Sequence, residues 1–363
     1  MVDWTASMQQ TFEFYMVDPN TWRDSKKLTN IKKCSITRDS EVDTLGSATF
    51  DITESVGECY IRVYLITVQN GITEKHPLGT FLAQTPSSSF DGRIRNVTMD
   101  AYTPLLELKE KSPPMGYFIP KDTNIMQQAY SLIKDKKLMR GPISSNSEVS
   151  STKLSYDFVS DINDTWLDFL RDLISAAVVD SGIVKYKFDL DELGRVLFVP
   201  DQDINSLSPI WTYTDDNSSI LYPDLNMEHD LYGLPNVVEV IYSNGDKNIE
   251  SRIVNDDPNS PISTVNRGRE IVYRDVTPNI HGEATKESVD RYAEDLLKTL
   301  SSIEYTVSYE HGYCPVRVGD CVRLNYTRAG LKNVKAKVIS QNIMCATGCS
   351  VSEKAVFTNK LWR

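Results

Sequence analysis

YIRVYLITVQNGITEKHPLGTFLAQ, residues Tyr60–Gln84, is the stretch that decides how the first part of this sequence folds. Apolar and β-branched side chains fill the run before Asn70-Gly71 and return in the run after it. Asn-Gly is a favoured two-residue hairpin turn because both residues tolerate a positive φ. The stretch therefore predicts a long β-hairpin with one strand on each side of Asn70-Gly71.

Shorter strand signals flank this hairpin. Cys34–Arg38 and Ser47–Ile52 alternate between apolar and polar residues and contain Thr and Ile, as half-buried strands do. Asp91-Gly92 predicts a second tight turn, between Ser87–Phe90 and Arg93–Ala101. We expect residues 31 to 101 to form an antiparallel meander of about five or six strands.

The pattern becomes helical after Tyr102. A helix is predicted over Thr123–Lys136, with Asp122 or Thr123 as its N-cap. A second helix is predicted from an Asp164 cap to the Asp180-Ser181-Gly182 segment. Its apolar residues form one stripe: Trp166, Leu167, Leu170, Leu173, Ile174, Ala177 and Val178. Together with a hairpin of Val184–Leu190 and Arg195–Pro200, these elements predict a small α/β insert.

Strand signals return from Asn236. Asn236–Asp246 alternates and contains a turn at Asn244-Gly245, and Thr285–Leu300 predicts an amphipathic helix. Extended segments complete this part: Ile271–Arg274, Glu304–Tyr309, Val316–Tyr326, Val334–Ile343 and Ser350–Thr358. The fold class that follows is α+β, mainly β, with two β-rich parts on either side of the insert.

Composition excludes several classes of protein. The 363 residues carry a formal net charge of -11, which argues against a nucleic-acid binder that releases counterions from phosphates. No stretch approaches the roughly 18 to 20 apolar residues of a membrane-spanning helix. The N-terminal MVDWTASMQQTFEF lacks a basic start followed by an apolar run, so we expect folding in a cytoplasm.

Four of the six cysteines lie near the C-terminus, and they are the sharpest candidates for a metal site. Cys345 and Cys349 have a spacing that structural zinc sites use, whereas Cys314 and Cys321 lie too far apart for a close pair. Free thiols are therefore the favoured interpretation, and a metal site is the alternative. Cys34 and Cys59 complete the set.

No catalytic motif stands out. His76, His229, His281 and His311 are scattered, and His311 near Cys314 has no recognisable oxyanion hole or orienting partner. The paired acids lie in segments typical of solvated turns: Asp189, Asp191 and Glu192; Asp215 and Asp216; Asp256 and Asp257. We predict that the chain is not an enzyme, with no catalytic, cofactor-binding or metal-binding residue.

Two longer stretches carry a resemblance to a known family. CPVRVGDCVRLNY, residues Cys314–Tyr326, follows EYTVSYEHGY and is similar to the second tube-like domain of phage tail baseplate hub proteins. TWRDSKKLTNIKKCSITRDSEVDTLGSATFDI, followed by YIRVYLITVQNG and HPLGTFL, is similar to the first. The resemblance implies two tube-like antiparallel β-barrel domains. They would occupy residues 1–105 and 211–363, with helix 285–300 in the second and the insert at 106–210.

The resemblance also implies a function and a set of partners. Such hubs are late structural proteins of the virion that form homotrimers. They adapt a hexameric tail tube to a trimeric central spike around a channel through which DNA passes. Partners would be the tail tube or distal tail protein, the spike, and also tape measure and wedge proteins. The expected location is the tail baseplate, after assembly in the host cytoplasm.

Three alternatives stay open at this stage. One is a tail-tip protein of a non-contractile tail with a host-binding or wall-degrading module, for which the chain has little room after the second β part. Another is a peptidoglycan hydrolase, which would need a paired acid, a Cys-His pair or a zinc motif in a cleft. The third is a carbohydrate-binding domain, suggested by the β content and the 18 tyrosines.

Overall fold

The hairpin predicted around Asn70-Gly71 is present in a computed structural model of the chain, with φ of 51° at Asn70 and 78° at Gly71. The structure describes residues 2–54, 56–90, 95–135, 138–177, 184–216, 219–229, 231–243, 248–278 and 285–361. The predicted turns at Asp91-Gly92 and Asn244-Gly245, and the helix end at Asp180-Ser181-Gly182, lie outside these residues.

Strands dominate the described residues, which confirms a mainly β, α+β fold. The strands are β1 Gln9–Val17, β2 Asp24–Leu28, β3 Ile31–Asp39, β4 Gly46–Ile52, β5 Cys59–Gln69, β6 Ile72–Phe90, β7 Arg95–Tyr102, β8 Phe118–Ile119, β9 Phe158–Val159, β10 Tyr186–Leu190, β11 Val196–Pro200, β12 Trp211–Thr214, β13 Leu221–His229, β14 Val237–Ser243, β15 Asn248–Val254, β16 Val272–Asp275, β17 Ser302–Gly312, β18 Cys321–Asn325, β19 Val334–Met344 and β20 Ser350–Lys360. The α-helices are α1 Leu106–Lys109, α2 Ile125–Lys134, α3 Trp166–Ser175, α4 Thr264–Arg267 and α5 Lys286–Leu300. None of the described helices has the length and apolarity to cross a membrane.

The chain divides into two compact units. The first contains Met1–Leu225 and Tyr309–Ala355, and the second contains Asn226–Ser308 and Val356–Arg363. The division into residues 1–105, 106–210 and 211–363 stays a prediction.

A large antiparallel sheet organises the first unit. Its strand order runs β19-β3-β4-β7-β6-β5-β1-β2, and β20 lies beside β19. The pairing of β19 with β3 joins strands that are about three hundred residues apart in the sequence. Inward side chains such as Ile36, Phe50, Val63 and Met99 are almost completely buried, because alternate residues of a strand face the same side.

The segment from Leu105 to Phe198 has an apolar core of its own within this unit. The inner faces of α2 and α3 pack in it together with the β10–β11 hairpin. The N-caps differ from the prediction: Asn124 caps α2, and Thr165 caps α3. Thr165 replaces the predicted Asp164 because its side chain forms a reciprocal capping box with Asp168.

The turn between β10 and β11 is anchored to the large sheet. The carbonyl of Leu193 accepts hydrogen bonds from the Trp22 indole at 2.8 Å, from the Thr80 hydroxyl at 2.9 Å and from Arg62 at 3.2 Å. Gly194 follows with φ of 70°, and a Cβ added there would lie 2.8 Å from the Cβ of Thr80. The close contact between this turn and Thr80 therefore requires glycine at position 194.

In the second unit, α5 covers one face of a three-stranded sheet of order β15-β14-β16. Val238 and Val240 of β14 pack against Val289, Ala293 and Leu297 of α5, and all five are fully buried. The helix begins after a Thr285 cap, as the predicted Thr285–Leu300 helix requires. This arrangement confirms that the apolar stripe of the helix backs a sheet.

Two strand predictions need correction. The single strand β6 replaces two predicted ones, since register shifts opposite Val63/Tyr64 and at Ala83/Thr85 bend it without breaking it. β18 starts only at Cys321, because residues before it form a turn in which Arg317 N–H donates to the Asp320 carboxylate at 2.7 Å. β1 and β2 were not predicted.

Candidate functional site

A buried polar cluster centred on Glu353 is the most unusual group of side chains in the first unit. The Glu353 carboxylate accepts hydrogen bonds from the Tyr309 hydroxyl, from Gln341 Nε2 at 2.6 Å and from the Tyr213 hydroxyl at 3.4 Å. His311 Nε2 lies 3.4 Å from Oε2 of the same carboxylate. The side chains of His311 and Glu353 are both fully buried.

Strand alternation brings these residues together. Tyr309 and His311 lie two residues apart on β17, so their side chains point to the same side of the sheet. Glu353 of β20 occupies an inward position between the buried Val351 and Ala355. A charged residue among the apolar inward-facing residues of β20 is the sequence signal for this cluster, which was not predicted.

His311 is held as an imidazolium. Burial lowers the pKa of His311, but the hydrogen bonds and charges of Cys314 and Glu353 outweigh it and raise the pKa to about 10. An imidazolium fits the geometry: Nδ1 lies 2.7 Å from the Gly312 carbonyl, and Nε2 lies 3.1 Å from the Tyr213 hydroxyl and 3.4 Å from the Glu353 carboxylate. Both ring nitrogens of an imidazolium are donors.

The cluster extends to Arg38 of β3. Gln341 accepts from Arg38 Nη1 at 3.2 Å and donates to the Val316 carbonyl at 3.0 Å. The second guanidinium nitrogen of Arg38 donates to the Leu78 carbonyl at 2.7 Å. The network thereby adds side-chain hydrogen bonds across the β3–β19 pairing that joins the N-terminal and C-terminal strands.

The cluster does not have the features of a Cys-His nucleophile. Cys314 Sγ lies 3.9 Å from His311 Nδ1, but that nitrogen already bonds to a backbone carbonyl. Cys314 and His311 are both buried, so neither offers an open face to a substrate. The arrangement stabilises the junction of strands and has no access for chemistry.

The four C-terminal cysteines lie in different surroundings. Cys314 contacts Tyr213 and Cys321 lies in β18, whereas Cys345 and Cys349 belong to the core of the large sheet, where the free thiol of Cys345 forms a hydrogen bond with that of Cys34. Burial raises the pKa of Cys321 and Cys349, and the Cys34 contact with burial raises that of Cys345. Within the described ranges, no three metal-ligating side chains come together.

His76 has partners different from those of His311. The ring of His76 packs edge-on against Trp4 at 5.0 Å and lies 3.1 Å from the Thr67 hydroxyl, and burial lowers its pKa. His281 and the side chain of His229 lie outside the described residues.

The predicted acid pairs serve as turn and loop anchors. Asp191 accepts from the backbone of Leu193 and Arg195, and Glu192 forms an ion pair with Arg317 at 3.0 Å. Asp189 lies in β10 and burial raises its pKa, so the prediction of a solvated turn is wrong for this residue. Asp257 accepts from the backbone of Asn259 at 2.8 Å.

Asp215 and Asp216 line a small open pocket of about 180 Å³. Asp215 accepts from the Thr327 hydroxyl at 3.0 Å and from the Arg328 backbone at 3.2 Å. Although desolvation opposes it, these hydrogen bonds lower the pKa of Asp215. Asp215, whose pKa is lowered, is therefore unlike the general acid of a glycoside hydrolase, whose pKa must be raised.

Comparison with solved structures identifies the fold. The 43 kDa tail protein of prophage MuSo2 from Shewanella oneidensis superimposes with a TM-score of 0.62 at 11% identity, over 95% of this chain and 98% of the other. A tail protein from Neisseria meningitidis MC58 does so with a TM-score of 0.59 at 12% identity, over 98% of both chains. No protein-family model and no curated protein sequence matches this chain.

The Francisella PdpA-VgrG complex provides a third match. Its TM-score is 0.55 at 11% identity, and the match covers 96% of this chain but 52% of the other. The chain therefore has a phage tail hub-like fold, shared with VgrG-type proteins.

Proposed function

We propose that the chain is the structural hub of a tail baseplate in a phage or a phage-tail-like particle. The observation that carries this proposal is the extent of the structural match. The structural match to the Neisseria tail protein covers 98% of this chain and 98% of that protein, so the similarity includes the large sheet, the inserted segment and the second unit. A shared single domain would be weaker support, because one fold serves many functions.

The large sheet supports a trimeric ring. Through the β19–β3 pairing, each chain presents an N-terminal and a C-terminal set of strands side by side. Three chains would then supply six such sets around an axis, which matches a hexameric tube above and a trimeric spike below. The net charge of -11 would let DNA pass through the channel without binding its wall.

Strand β2 is a candidate for the contact between chains. Its pairing in the described structure is with β1 alone, so its other edge has backbone groups to offer a neighbour. Lys26 and Lys27 are exposed on this short strand. Lysines on an edge oppose indiscriminate strand pairing, which suits an edge that is reserved for one partner.

The experiment is deletion of the gene in cells that produce the particles, followed by sedimentation and negative-stain imaging. We expect no complete tails without the chain and full recovery when the wild-type chain is supplied. Complete, infectious tails from the deletion strain would contradict the proposal.

We also propose that the hub acts without catalysis, since its acids anchor turns and its Cys-His pair is buried. A zymogram on bacterial cell walls tests this part separately. No clearing is expected. Clearing that disappears in a variant of a single carboxylate would instead support the wall-degrading alternative.

A further inference from the structure

An exposed apolar patch lies on the inserted segment, around the short β8–β9 pair. Phe118 and Val159 are direct cross-strand partners, and they are 53% and 59% exposed. Met115, Tyr156 and Ile162 flank the pair in sequence and are 90%, 64% and 86% exposed. We call these five residues the β8–β9 patch.

The patch is not a frayed edge of the core. The other cross-strand pair, Ile119 with Phe158, turns inward, and Phe158 packs on Phe169 of α3 with ring centroids 5.1 Å apart. Tyr117 likewise contacts Trp166 at 5.1 Å. The backbone is therefore fixed by its buried side, and strand alternation holds the side chains of Phe118 and Val159 in solvent. A soluble surface would normally place polar residues there.

Four carboxylates lie in the segment that follows β9. Asp161 and Asp164 flank Ile162 in the sequence, and Asp168 and Asp172 follow on α3. These four carboxylates lie close enough that the first three help to raise the pKa of Asp172, although burial contributes most. None of the four forms an ion pair with a basic side chain of the described residues, and nearby Arg171 contacts Asp43 instead.

We propose that the β8–β9 patch is the docking site for a different protein of the particle, through a segment that carries apolar side chains flanked by lysine or arginine. The apolar side chains supply the area that a partner would bury, and the carboxylates supply the charge that it must match. A second copy of this chain would bring the same carboxylates face to face. That repulsion disfavours self-association, so the partner is basic and distinct.

The inference rests on the proposed function only for the partner being a tail component, and the experiment separates the two. A photoreactive phenylalanine analogue is placed at Phe118 or Ile162, in two independent variants, in cells that produce the particles. The matched control carries it at Ile72, an exposed apolar position at the start of β6. Because all three side chains are exposed, each variant should keep the wild-type melting temperature.

We expect positions 118 and 162 to crosslink to one and the same other protein, through a peptide with lysine or arginine beside apolar residues. Position 72 should not reach that protein. Adding Asp161→Asn and Asp164→Asn should lower the yield about twofold to tenfold. Crosslinks to a second copy, to an acidic peptide or to nothing would overturn the inference. Whether the chain sediments with tails is read separately, and its absence from them would refute the proposed function alone.

Discussion

Replacing Glu353 by glutamine tests the buried cluster most sharply, because the substitution preserves shape and removes charge. In the wild-type chain every neighbour of this carboxylate donates to it: Tyr309, Tyr213, Gln341 and His311. A glutamine amide would present an NH₂ group to some of these donors. The variant would thus lose a charge partner for His311 and leave at least one buried donor unsatisfied.

The magnitude follows from the His311 imidazolium. Raising its pKa from the ordinary 6.5 to about 10 corresponds to about 5 kcal/mol of the free energy of unfolding. Cys314 contributes to this shift and stays in place, so Glu353→Gln removes only a part of it. Breaking a buried ion pair by removing one partner costs about 3–5 kcal/mol. We therefore expect the variant to lose about 3 kcal/mol at pH 6.

The pH dependence has a definite sign. Since the folded-state pKa of His311 is raised, its contribution is fully present below the unfolded value of 6.5 and is lost as the pH rises toward about 10. Between pH 6 and 8.5 the wild-type chain should lose roughly half of this contribution to its free energy of unfolding. The variant should lose less, so the difference between the two proteins should shrink as the pH rises.

Urea unfolding at pH 6, 7 and 8.5 measures both effects. The control is Glu310→Gln, which changes an exposed glutamate of β17 that accepts a hydrogen bond from Ser352 of β20, and the free energy of unfolding should change by no more than about 0.5 kcal/mol. If the free energy of unfolding of Glu353→Gln lies within about 1 kcal/mol of the wild-type value and depends on pH in the same way, the Glu353–His311 pair does not stabilise the fold as we infer.

Three further predictions concern packing and local structure. Leu296→Asp combined with Leu297→Asp should unfold the second unit, since Leu297 is fully buried, and limited proteolysis should then cleave this unit. The control is Arg291→Asp, which changes an exposed residue of α5. A double variant that stays trimeric and resists the protease would contradict the packing of α5. Thr165→Ala should lower the free energy of unfolding by about 1 kcal/mol through loss of the capping box, and should do so more than Asp164→Ala; equal effects in urea unfolding would contradict the cap. Gly194→Ala should lower the free energy of unfolding by about 2–4 kcal/mol, because strain at positive φ adds to a clash with Thr80. Gly57→Ala introduces the same strain in open space and should lower it by about 1–2 kcal/mol. Similar melting temperatures for the two variants would show that Gly194 does not approach Thr80 closely.

Local signals were sufficient for the elements that sequence neighbours define. The hairpin at Asn70-Gly71 and helix α5 could be predicted because turn chemistry and an apolar stripe lie within short windows. β2, with the sequence DSKKL, could not, since Leu28 is its only buried residue and no alternation marks it. The capping residue of α3 was misplaced by one position, because Asp164 and Thr165 are both good caps and the reciprocal contact of Asp168 decides between them.

Features that depend on distant residues were beyond reach. The pairing of β19 with β3 is set by packing between segments about three hundred residues apart, for which no local pattern exists. The buried cluster also depends on distant segments, since its members come from β12, β17, β19 and β20. Only Glu353, a charge at an inward position between Val351 and Ala355, could have indicated it.

Cryo-electron microscopy of the intact particle is the most direct test of the assignment as a baseplate hub. We expect three copies of this chain in a closed ring at the base of the tail, between the tube and the central spike. In that ring the N-terminal and C-terminal strand sets should alternate around the channel. Absence of the chain from the ring, or six equivalent copies in place of three, would contradict the assignment as a baseplate hub.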